Sequence, residues 1–448
     1  MQDNKFVVAP NNKSAMISNQ LYNCIDAEID GVMKSASTGE LVFIHEYSER
    51  EAGALVATRN EIISNFFPET DKMVIESDTE EYEVHLLDKM HDSKRYQNII
   101  YPYSYTWGEK DGRSVLYTVS ELPADFTGKY HTISKAIFMP NFKLHVRIVT
   151  AINIAEMLKM LWKDFQGLLH NITPDSILVN TENGDVKIII EKCMDKGRNL
   201  EDVDAGDYMC LCGTEKECID EQMLTKYIAY STFRLLCMSN PYDGRKTLVE
   251  FPLLTRRANR MIHSGDYDFI LSESTNMYSE FIGREVVAKW NSIPVFLRER
   301  VEQELRNDDN AAVDSNLEDW VRLTRMLRDS LVFVNGQFKF CDPNENNRVL
   351  FIATKNKYRI PVWPRKAVYW YHLGCTDEDK CNKVAIGVNS EGWLENHTFS
   401  VWSVESYGNT YWINPGQAVK PELGMYITIA DDLYVGIING DRGTPISV

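Results

Sequence analysis

The stretch that most constrains this chain covers residues 167–192, GLLHNITPDSILVNTENGDVKIIIEK. It is predicted to form a tight polar loop, a short apolar strand at 177–179, an Asn-Gly turn at 183–184 and a second strand at 186–190. Residues 143–170 before it repeat apolar side chains at helical spacing, which predicts a long amphipathic helix. We interpret the rest of the chain around this helix, loop and hairpin.

Protein kinases build their catalytic centre from a helix, loop and hairpin of this kind. The loop supplies a basic aspartate and, five residues on, an asparagine that binds magnesium, while an aspartate after the second strand makes the other metal contacts. In this chain Asn171, Ser176 and Ile190 fall at those three positions. We therefore expect a kinase-like scaffold without the kinase chemistry.

The same segment resembles a bacterial kinase-like family associated with tellurite-resistance and stress gene clusters. Members carry Q-D-[IL]-N-D-G-N-F-F-I-N before T-G-D-V, and HNITPDSILVN at 170–180 fits that string without a gap before NGDV at 183–186. Further likenesses follow in order, NPYDGRKTL at 240–248, FILS at 269–272, WNSIP at 290–294 and LRD at 327–329. A shifted register, with Glu191 at the metal-binding acid position, stays open.

Residues 1–121 are predicted to form the small lobe of such a fold, with strands at 41–47, 99–107 and 114–120 and a helix at 49–67. In kinases a glycine-rich loop covers the phosphates and a lysine of the third strand, in the motif V-A-I-K, pairs with them. Here no glycine lies between Val7 and Gly31, and the motif falls on VFIH at 42–45. Histidine is shorter than lysine and largely neutral at pH 7. His45 is therefore expected to be a strand residue and a poor phosphate clamp.

Residues 122–330 are predicted to form a mostly helical large lobe, and residues 331–448 a small C-terminal β domain. The resemblance implies a bilobal α+β fold with a hinge at Glu121 and Leu122, where an adenine ring would hydrogen-bond the backbone. Family members usually continue into a zinc ribbon. Here Val334 stands where a thiolate belongs and Cys341 remains nearby, so we expect the zinc, which needs four ligands, to be lost.

The β domain is predicted from strand-like sequence after residue 348. Its turns are expected at Gly387, Gly408-Asn409, Asn414-Pro415-Gly416 and Asn439-Gly440. Three tryptophans are expected in its core, with an exposed partner surface as the alternative, namely Trp393, Trp402 and Trp412.

Cys210, Cys212 and Cys218 fall in the segment where the activation loop is expected. Their spacing is not the C-x2-C of a zinc ribbon, so reduced thiols are expected and a metal- or thiol-dependent sensor is an alternative. Nine scattered cysteines favour a reducing compartment.

The formal net charge of −17 opposes binding to nucleic acid and to anionic membranes. The sequence shows neither an apolar run of about 18 residues nor the pattern of a signal peptide. These features predict a cytoplasmic protein.

Taken together, the residues predict a pseudokinase that acts as a binding or regulatory scaffold, with no cofactor and no bound metal. The alternative is an unorthodox ATP-dependent serine/threonine protein kinase that binds ATP and magnesium through displaced acids, Asp175, Asp185 or Glu191. The family resemblance implies protein partners: an active kinase of the same family, a von Willebrand factor A-type protein or a metal-dependent phosphatase.

Overall fold

The computed structural model of the protein describes residues 7–8, 14–17, 20–25, 31–47, 82–83, 97–100, 102–110, 113–165, 169–172, 176–190, 193, 211–212, 219–242, 269, 271, 284–305, 316–341, 349–430 and 433–439. These residues form a mixed α+β protein with several sheets. The chain divides into two compact units, Met1–Gly283 with Gln303–Leu317 and Arg284–Glu302 with Glu318–Val448. The domain boundaries expected at residues 121 and 330 stay predictions.

The first unit contains the whole N-terminal half of the chain. Its described strands are β1 (Val7–Val8), β2 (Ser14–Ile17), β3 (Gln20–Cys24), β4 (Val32–Ser35), β5 (Leu41–Tyr47), β6 (Tyr82–Glu83), β7 (Ile99–Ile100), β8 (Pro102–Lys110), β9 (Arg113–Leu122), β10 (Tyr130–Thr132), β11 (Asn171–Ile172), β12 (Ile177–Asn180), β13 (Val186–Ile189) and β14 (Leu211–Cys212). Its described helices are α1 (Phe126–Lys129), α2 (Ile133–Ala136), α3 (Leu144–Phe165) and α4 (Glu221–Cys237).

Three sheets organise these strands. Eight strands pair in the order β1-β2-β3-β4-β5-β9-β8-β6, and four pair in the order β10-β12-β13-β7. In the second sheet only β13 and β7 run parallel among the described pairs, with Ile188 opposite Ile99. β11 and β14 form a separate antiparallel pair.

Residues 41–44 of β5 are buried on both faces of the strand because four consecutive side chains, LVFI, are apolar. On one face Val42 and Ile44 pack in a cluster with Tyr117 and Val119 of β9. On the other face the Phe43 ring is fully buried. Phe43 belongs to a cluster made of Val32, Leu41, Phe43, Ile100, Leu122, Phe126, Tyr130, Leu178 and Ile189, which joins the large sheet to the hairpin.

The predicted hairpin is confirmed as β12 and β13, which pair antiparallel. All four residues of β12 are buried, and α3 buries the side chains of Ile154, Leu158 and Leu161 along its apolar stripe. The strand predicted at 41–47 coincides with β5. The helix predicted at 49–67 lies outside the described residues.

The second unit is rich in β structure, as predicted for the C-terminal region. Three helices precede its strands: α5 (Arg284–Ser292), α6 (Val295–Leu305), whose last three residues belong to the first unit, and α7 (Leu317–Ser330), whose first residue does. A 3₁₀ turn (Trp370–Leu373) and α8 (Glu378–Cys381) interrupt the strands. Its described strands are β15 (Leu331–Val334), β16 (Gln337–Phe340), β17 (Leu350–Thr354), β18 (Arg359–Pro361), β19 (Ala367–Tyr369), β20 (Val384–Val388), β21 (Leu394–Asn396), β22 (Trp402–Ser406), β23 (Asn409–Ile413), β24 (Ala418–Val419), β25 (Tyr426–Ala430) and β26 (Leu433–Asn439).

Two sheets of the second unit enclose a single apolar core. Their strand orders are β18-β17-β26-β25-β22-β23 and β19-β20-β21-β24. Trp402 from the larger sheet and Ile386 and Leu394 from the smaller one belong to that core, and so does Met326 of α7. The helix that ends before residue 331 therefore packs with the β domain.

Several sequence predictions for this unit are wrong. Trp402 is fully buried as expected, but Trp412 is 67% exposed and Trp393 is 38% exposed. Gly387 lies inside β20 rather than in a turn. The turn between β22 and β23 consists of Tyr407 and Gly408, so Asn409 already belongs to β23.

Candidate functional site

The hairpin of the first unit holds Ser176 and Ile190, the two positions that correspond to the metal-binding residues of a kinase. Ser176 immediately precedes β12 and is fully buried, and its carbonyl oxygen accepts a 2.9 Å hydrogen bond from the Ile189 amide. Ile190 follows β13 as a helical residue, not the last strand residue as predicted, and its side chain is 1% exposed. The fold thus brings Ser176 close to Ile190, and neither side chain carries a carboxylate.

The third position, Asn171, lies in β11, opposite Cys212 of β14. The neighbouring His170 amide donates a 2.8 Å hydrogen bond to the Cys193 carbonyl, three residues beyond Ile190. The loop that contains Asn171 is therefore tied by its backbone to the segment after β13. Asp175 and Glu191, two of the displaced acids, lie outside the described residues.

β5 presents His45 on the same face as the buried Phe43, since alternate residues of a strand share a face. The two rings stack with centroids 6.1 Å apart, and His45 pairs through the backbone register with Thr118 of β9. This face points toward the hairpin, because Phe43 packs in one cluster with Leu178 and Ile189. His45 is thus placed on the side where a kinase lysine would be needed.

The predicted hinge lies at the end of β9. Glu121 is exposed, whereas Leu122 is 4% exposed and shares the cluster of Phe43 and Leu178. V-A-I-K carries alanine where this chain has Phe43. The larger ring therefore fills the space between β5, the hinge and β12 with packed apolar atoms.

Asp185, the one displaced acid within the described residues, braces the turn of the hairpin. Its carboxylate accepts a 2.6 Å hydrogen bond from the Tyr130 hydroxyl and lies 3.7 Å from the Lys187 ammonium. Burial, reinforced by this carboxylate, raises the pKa of Tyr130 well above its usual range. Lys187 in turn donates to the Gln97 carbonyl at 2.6 Å. The acid links β10, β13 and the residues before β7.

Gly184 fits the turn closely against α3. Its φ of 81° is accessible to glycine, and a Cβ there would lie 2.8 Å from the Val146 carbonyl oxygen. Asn153 of α3 donates a 2.8 Å hydrogen bond to the Gly184 carbonyl. The close approach of α3 therefore explains why glycine, which has no Cβ, occupies the second position of the Asn-Gly turn.

These residues do not fit the magnesium that the resemblance implies. Magnesium prefers carboxylate oxygens in octahedral geometry, and the fold offers the hydroxyl of a buried serine and the side chain of a buried isoleucine at the matching positions. Asp185 lies at the far end of β13, where it is engaged by Tyr130.

Of the cysteines considered as metal ligands from the sequence, Cys212 and Cys341 lie within the described residues. Of the three activation-segment cysteines only Cys212 is described, by its backbone pairing with Asn171, while Cys210 and Cys218 lie outside the described residues. Cys341 is 3% exposed and packs with the apolar side chains of Val332 and Phe351. Across the part of the chain that the structure describes, no three histidine, cysteine or acidic side chains are grouped to hold a metal ion.

Sequence reasoning missed a buried polar cluster in the second unit, formed by Arg328, Asp329, Lys366, Tyr371 and His372. Asp329 is the penultimate residue of α7. Its side chain is 6% exposed, and its carboxylate lies 2.7 Å from Nε2 of the fully buried His372. Nδ1 of His372 accepts a 2.8 Å hydrogen bond from the Tyr369 amide. Because Nδ1 accepts, Nε2 carries the proton of the neutral ring and donates it to Asp329.

Positive groups complete this cluster. The Arg328 guanidinium lies 3.3 Å from the Asp329 carboxylate and donates to the Tyr371 hydroxyl, and the Lys366 ammonium donates to the Arg328 carbonyl at 3.2 Å. Burial lowers the pKa of His372 and lowers that of Lys366 to about 8. Burial alone would raise the pKa of Asp329, but His372 and Arg328 hold it below its usual range.

An aspartate–histidine pair is also the arrangement of a general base, which needs one ring nitrogen facing a substrate. Here both nitrogens of His372 are occupied and the ring is fully buried. The cluster therefore fastens α7 to the β domain. The nearest sequence signal is the aromatic run YWYH at 369–372, which places a histidine among buried rings.

A scan against protein-family models finds no matching family, and a search of curated proteins finds no match. Within the described residues, every helix is too short or too polar to cross a lipid bilayer.

Proposed function

We propose that this chain is a kinase-like protein that has lost phosphoryl transfer and works by binding other proteins. The observation that carries the proposal is the burial of Ser176 and Ile190, at 0% and 1% exposure, at the positions where a kinase grips magnesium. Phosphoryl transfer depends on positioning and on neutralising charge with metal ions. A hairpin with these side chains supplies neither metal contact.

The packing around Phe43 supports the further proposal that nucleotide binding is lost as well. An adenine ring would need the space beside the hinge, which Phe43, Leu122 and Leu178 fill with their side chains. Opening that space would expose apolar surface or require the whole cluster to repack, and packed interiors resist such changes.

The engagement of Asp185 weighs against the alternative of an unorthodox ATP-dependent serine/threonine kinase. A magnesium ligand at Asp185 would have to give up the 2.6 Å hydrogen bond from Tyr130 and the contact with Lys187. We therefore favour a scaffold with protein partners in the cytoplasm. The proposed partners are an active kinase of the resembled family, a von Willebrand factor A-type protein or a metal-dependent phosphatase.

Such a scaffold can regulate a partner without chemistry of its own. A protein that binds one conformation of an active kinase more tightly than another shifts the kinase toward that conformation. Co-purification of the tagged chain with a kinase is the expected outcome. Repeated purification without a kinase, under conditions where the candidate partners are expressed, would count against the regulatory role.

Nucleotide binding is tested by titrating the full-length chain with ATP and magnesium while its melting temperature and heat of binding are recorded. A ligand that binds only the folded state raises the melting temperature, so we expect no saturable shift and no binding heat. The double variant Asn171→Asp with Ile190→Asp restores two acids as a comparison. A saturable, magnesium-dependent shift in the wild-type chain would refute the proposed loss of nucleotide binding.

A further inference from the structure

The edge strand β23 of the second unit carries an open row of backbone groups. It is the last strand of the six-stranded sheet among the described residues, paired on one side with β22. The two strands join through a two-residue turn, Tyr407 and Gly408, with φ angles of 49° and 78°. Such a turn makes Ser406 and Asn409 a hydrogen-bonded pair, and the pairs then alternate along the hairpin.

This register decides which backbone groups of β23 point outward. Tyr411 and Ile413 pair with Val404 and Trp402 at hydrogen-bonded positions, so Thr410 and Trp412 turn their N–H and C=O groups away from β22. The next outward amide, Asn414, is capped by the Gln417 side chain at 3.0 Å. The open edge is therefore bounded by the turn on one side and by this cap on the other.

The side chains of β23 do little to prevent another strand from pairing there. Proteins protect exposed edges with lysine, proline or inward-pointing charge, and β23 reads NTYWI, without any of these. Trp412 is 67% exposed and Tyr407 is 79% exposed. The edge thus offers both hydrogen-bonding groups and apolar surface.

We propose that β23 pairs antiparallel with β23 of a second copy of this chain, forming a symmetric dimer with a continuous twelve-stranded sheet. With the two-fold axis at Tyr411, Thr410 of each copy faces Trp412 of the other. The outward groups of these residues then form four backbone hydrogen bonds, and Trp412 gains a cross-strand threonine, a favourable β-branched neighbour.

β23 itself is uncharged, so a second copy meets no charge on the paired strands although each chain has a net charge of −17. Two carboxylates lie near the strand: Glu405, opposite Thr410 on β22, and Glu422, which accepts a 2.8 Å hydrogen bond from the Ser406 hydroxyl. In the dimer the two Glu405 residues lie three strand spacings apart, roughly 14 Å. That distance exceeds the Debye length of about 8 Å at physiological salt.

The dimer is tested by sedimentation velocity of the full-length chain over a dilution series from about 1 to about 100 µM, the range in which a modest interface associates. We expect a reversible monomer–dimer equilibrium. At the high end, the amides of Thr410 and Trp412 should exchange hydrogen more slowly than at the low end. A chain that remains monomeric throughout the series overturns the proposal.

Thr410→Pro is the decisive variant because it removes an outward N–H that β22 does not use, and proline is tolerated at such edge positions. Two of the four hydrogen bonds are lost, so the dissociation constant should rise about ten- to hundredfold. Thr410→Val, which keeps the N–H, and Trp393→Ala, which removes an exposed tryptophan elsewhere, should leave it within about twofold. Should Thr410→Pro fail to fold, Trp412→Lys replaces it, and a dimer of wild-type affinity in the folded variant contradicts the model of pairing.

Discussion

The hairpin of the first unit and the Arg328–Asp329–His372 cluster of the second use carboxylates in opposite ways. In the hairpin, the side chain of Asp185 is 30% exposed and braces a turn, while the strand ends near Ser176 and Ile190 are buried without charge. In the second unit Asp329 is buried with a histidine and an arginine beside it. The hairpin has no acid at these buried strand ends, whereas the carboxylate of Asp329 is engaged by His372 and Arg328.

The comparison shows why a buried acid is by itself poor evidence for catalysis. A buried charge persists only when paired and hydrogen-bonded, and the partners that make it stable also occupy the atoms that chemistry would use. His372 illustrates this, since its two ring nitrogens bind Asp329 and the Tyr369 amide.

The largest effect expected in the first unit comes from Phe43→Ala. This change removes a fully buried ring from the cluster shared by the hinge and the hairpin, and it should cost about 3–5 kcal/mol of unfolding free energy. Denaturant unfolding measures the loss. Phe138→Ala is the control, because its ring is 73% exposed and its loss should cost less than about 0.5 kcal/mol. Equal costs for the two variants would mean that Phe43 does not fill the space beside the hinge.

A loss of similar or slightly smaller size is expected for Asp329→Ala in the second unit. The fully buried His372 would lose its carboxylate partner, as would the partly buried Arg328 and Lys366, and breaking a buried pair typically costs about 3–5 kcal/mol. Asp319→Ala is the control. It removes the partner of Arg322 in an ion pair whose side chains are 28% and 36% exposed, and the loss of such a surface pair should cost about 0–1 kcal/mol of unfolding free energy. Calorimetric melting of both variants compares them. If Asp329→Ala melts like Asp319→Ala, the cluster does not fasten α7.

Asp185→Asn should have a smaller effect, about 1–2 kcal/mol, because the amide keeps the shape of the carboxylate but weakens the hydrogen bond from the Tyr130 hydroxyl. Tyr130→Phe removes the other partner, and the double variant should cost less than the sum of the two single changes. Chemical denaturation of the wild type and the three variants gives the coupling free energy between Asp185 and Tyr130. Strict additivity would show that the 2.6 Å contact does not stabilise the turn.

A pH dependence of stability is expected from Lys366. Its folded pKa is lowered by burial to about 8 from its usual value of 10.5, so between these values the unfolded chain binds more protons than the folded chain. Stability should therefore rise with pH above about 8 and be lost again as pH falls through that pKa. Tyr371 and Tyr358, whose pKa values are raised by burial, act in the opposite direction only near pH 10 and above.

Melting curves of wild-type and Lys366→Met protein from about pH 7.5 to about pH 9.5 isolate this contribution. The wild type should gain stability relative to the variant across that interval. A difference that stays constant with pH would show that Lys366 titrates normally and that the burial of the cluster is incomplete.

Much of the fold around the site could be predicted because its signals are local. Alternating β-branched and aromatic residues predicted the strand at 41–47, and the Asn-Gly pair at 183–184 predicted the hairpin. The pairing of Asp329 with His372 spans 43 residues and has no local pattern. Gly387 was wrongly predicted to be a turn residue. It is a strand residue at a position with no room for a side chain, because a Cβ there would lie 2.6 Å from the His397 ring.

The tryptophans show the same limit, since residue type alone does not assign a strand face. Trp402 and Trp412 lie on neighbouring strands of one hairpin, yet one is fully buried and the other 67% exposed. The register of the strand pairing determines which tryptophan is buried, because a shift of one residue moves every side chain to the opposite face of the sheet.

The central proposal, that this chain does not transfer phosphate, is tested most directly with ATP labelled at the γ-phosphate. The purified full-length chain is incubated with labelled ATP and magnesium, alone and with a generic serine/threonine substrate protein. Label transfer and phosphate release should equal those of a protein-free blank. Transfer above the blank that disappears in Asp185→Asn would contradict the account and establish the displaced-acid kinase instead.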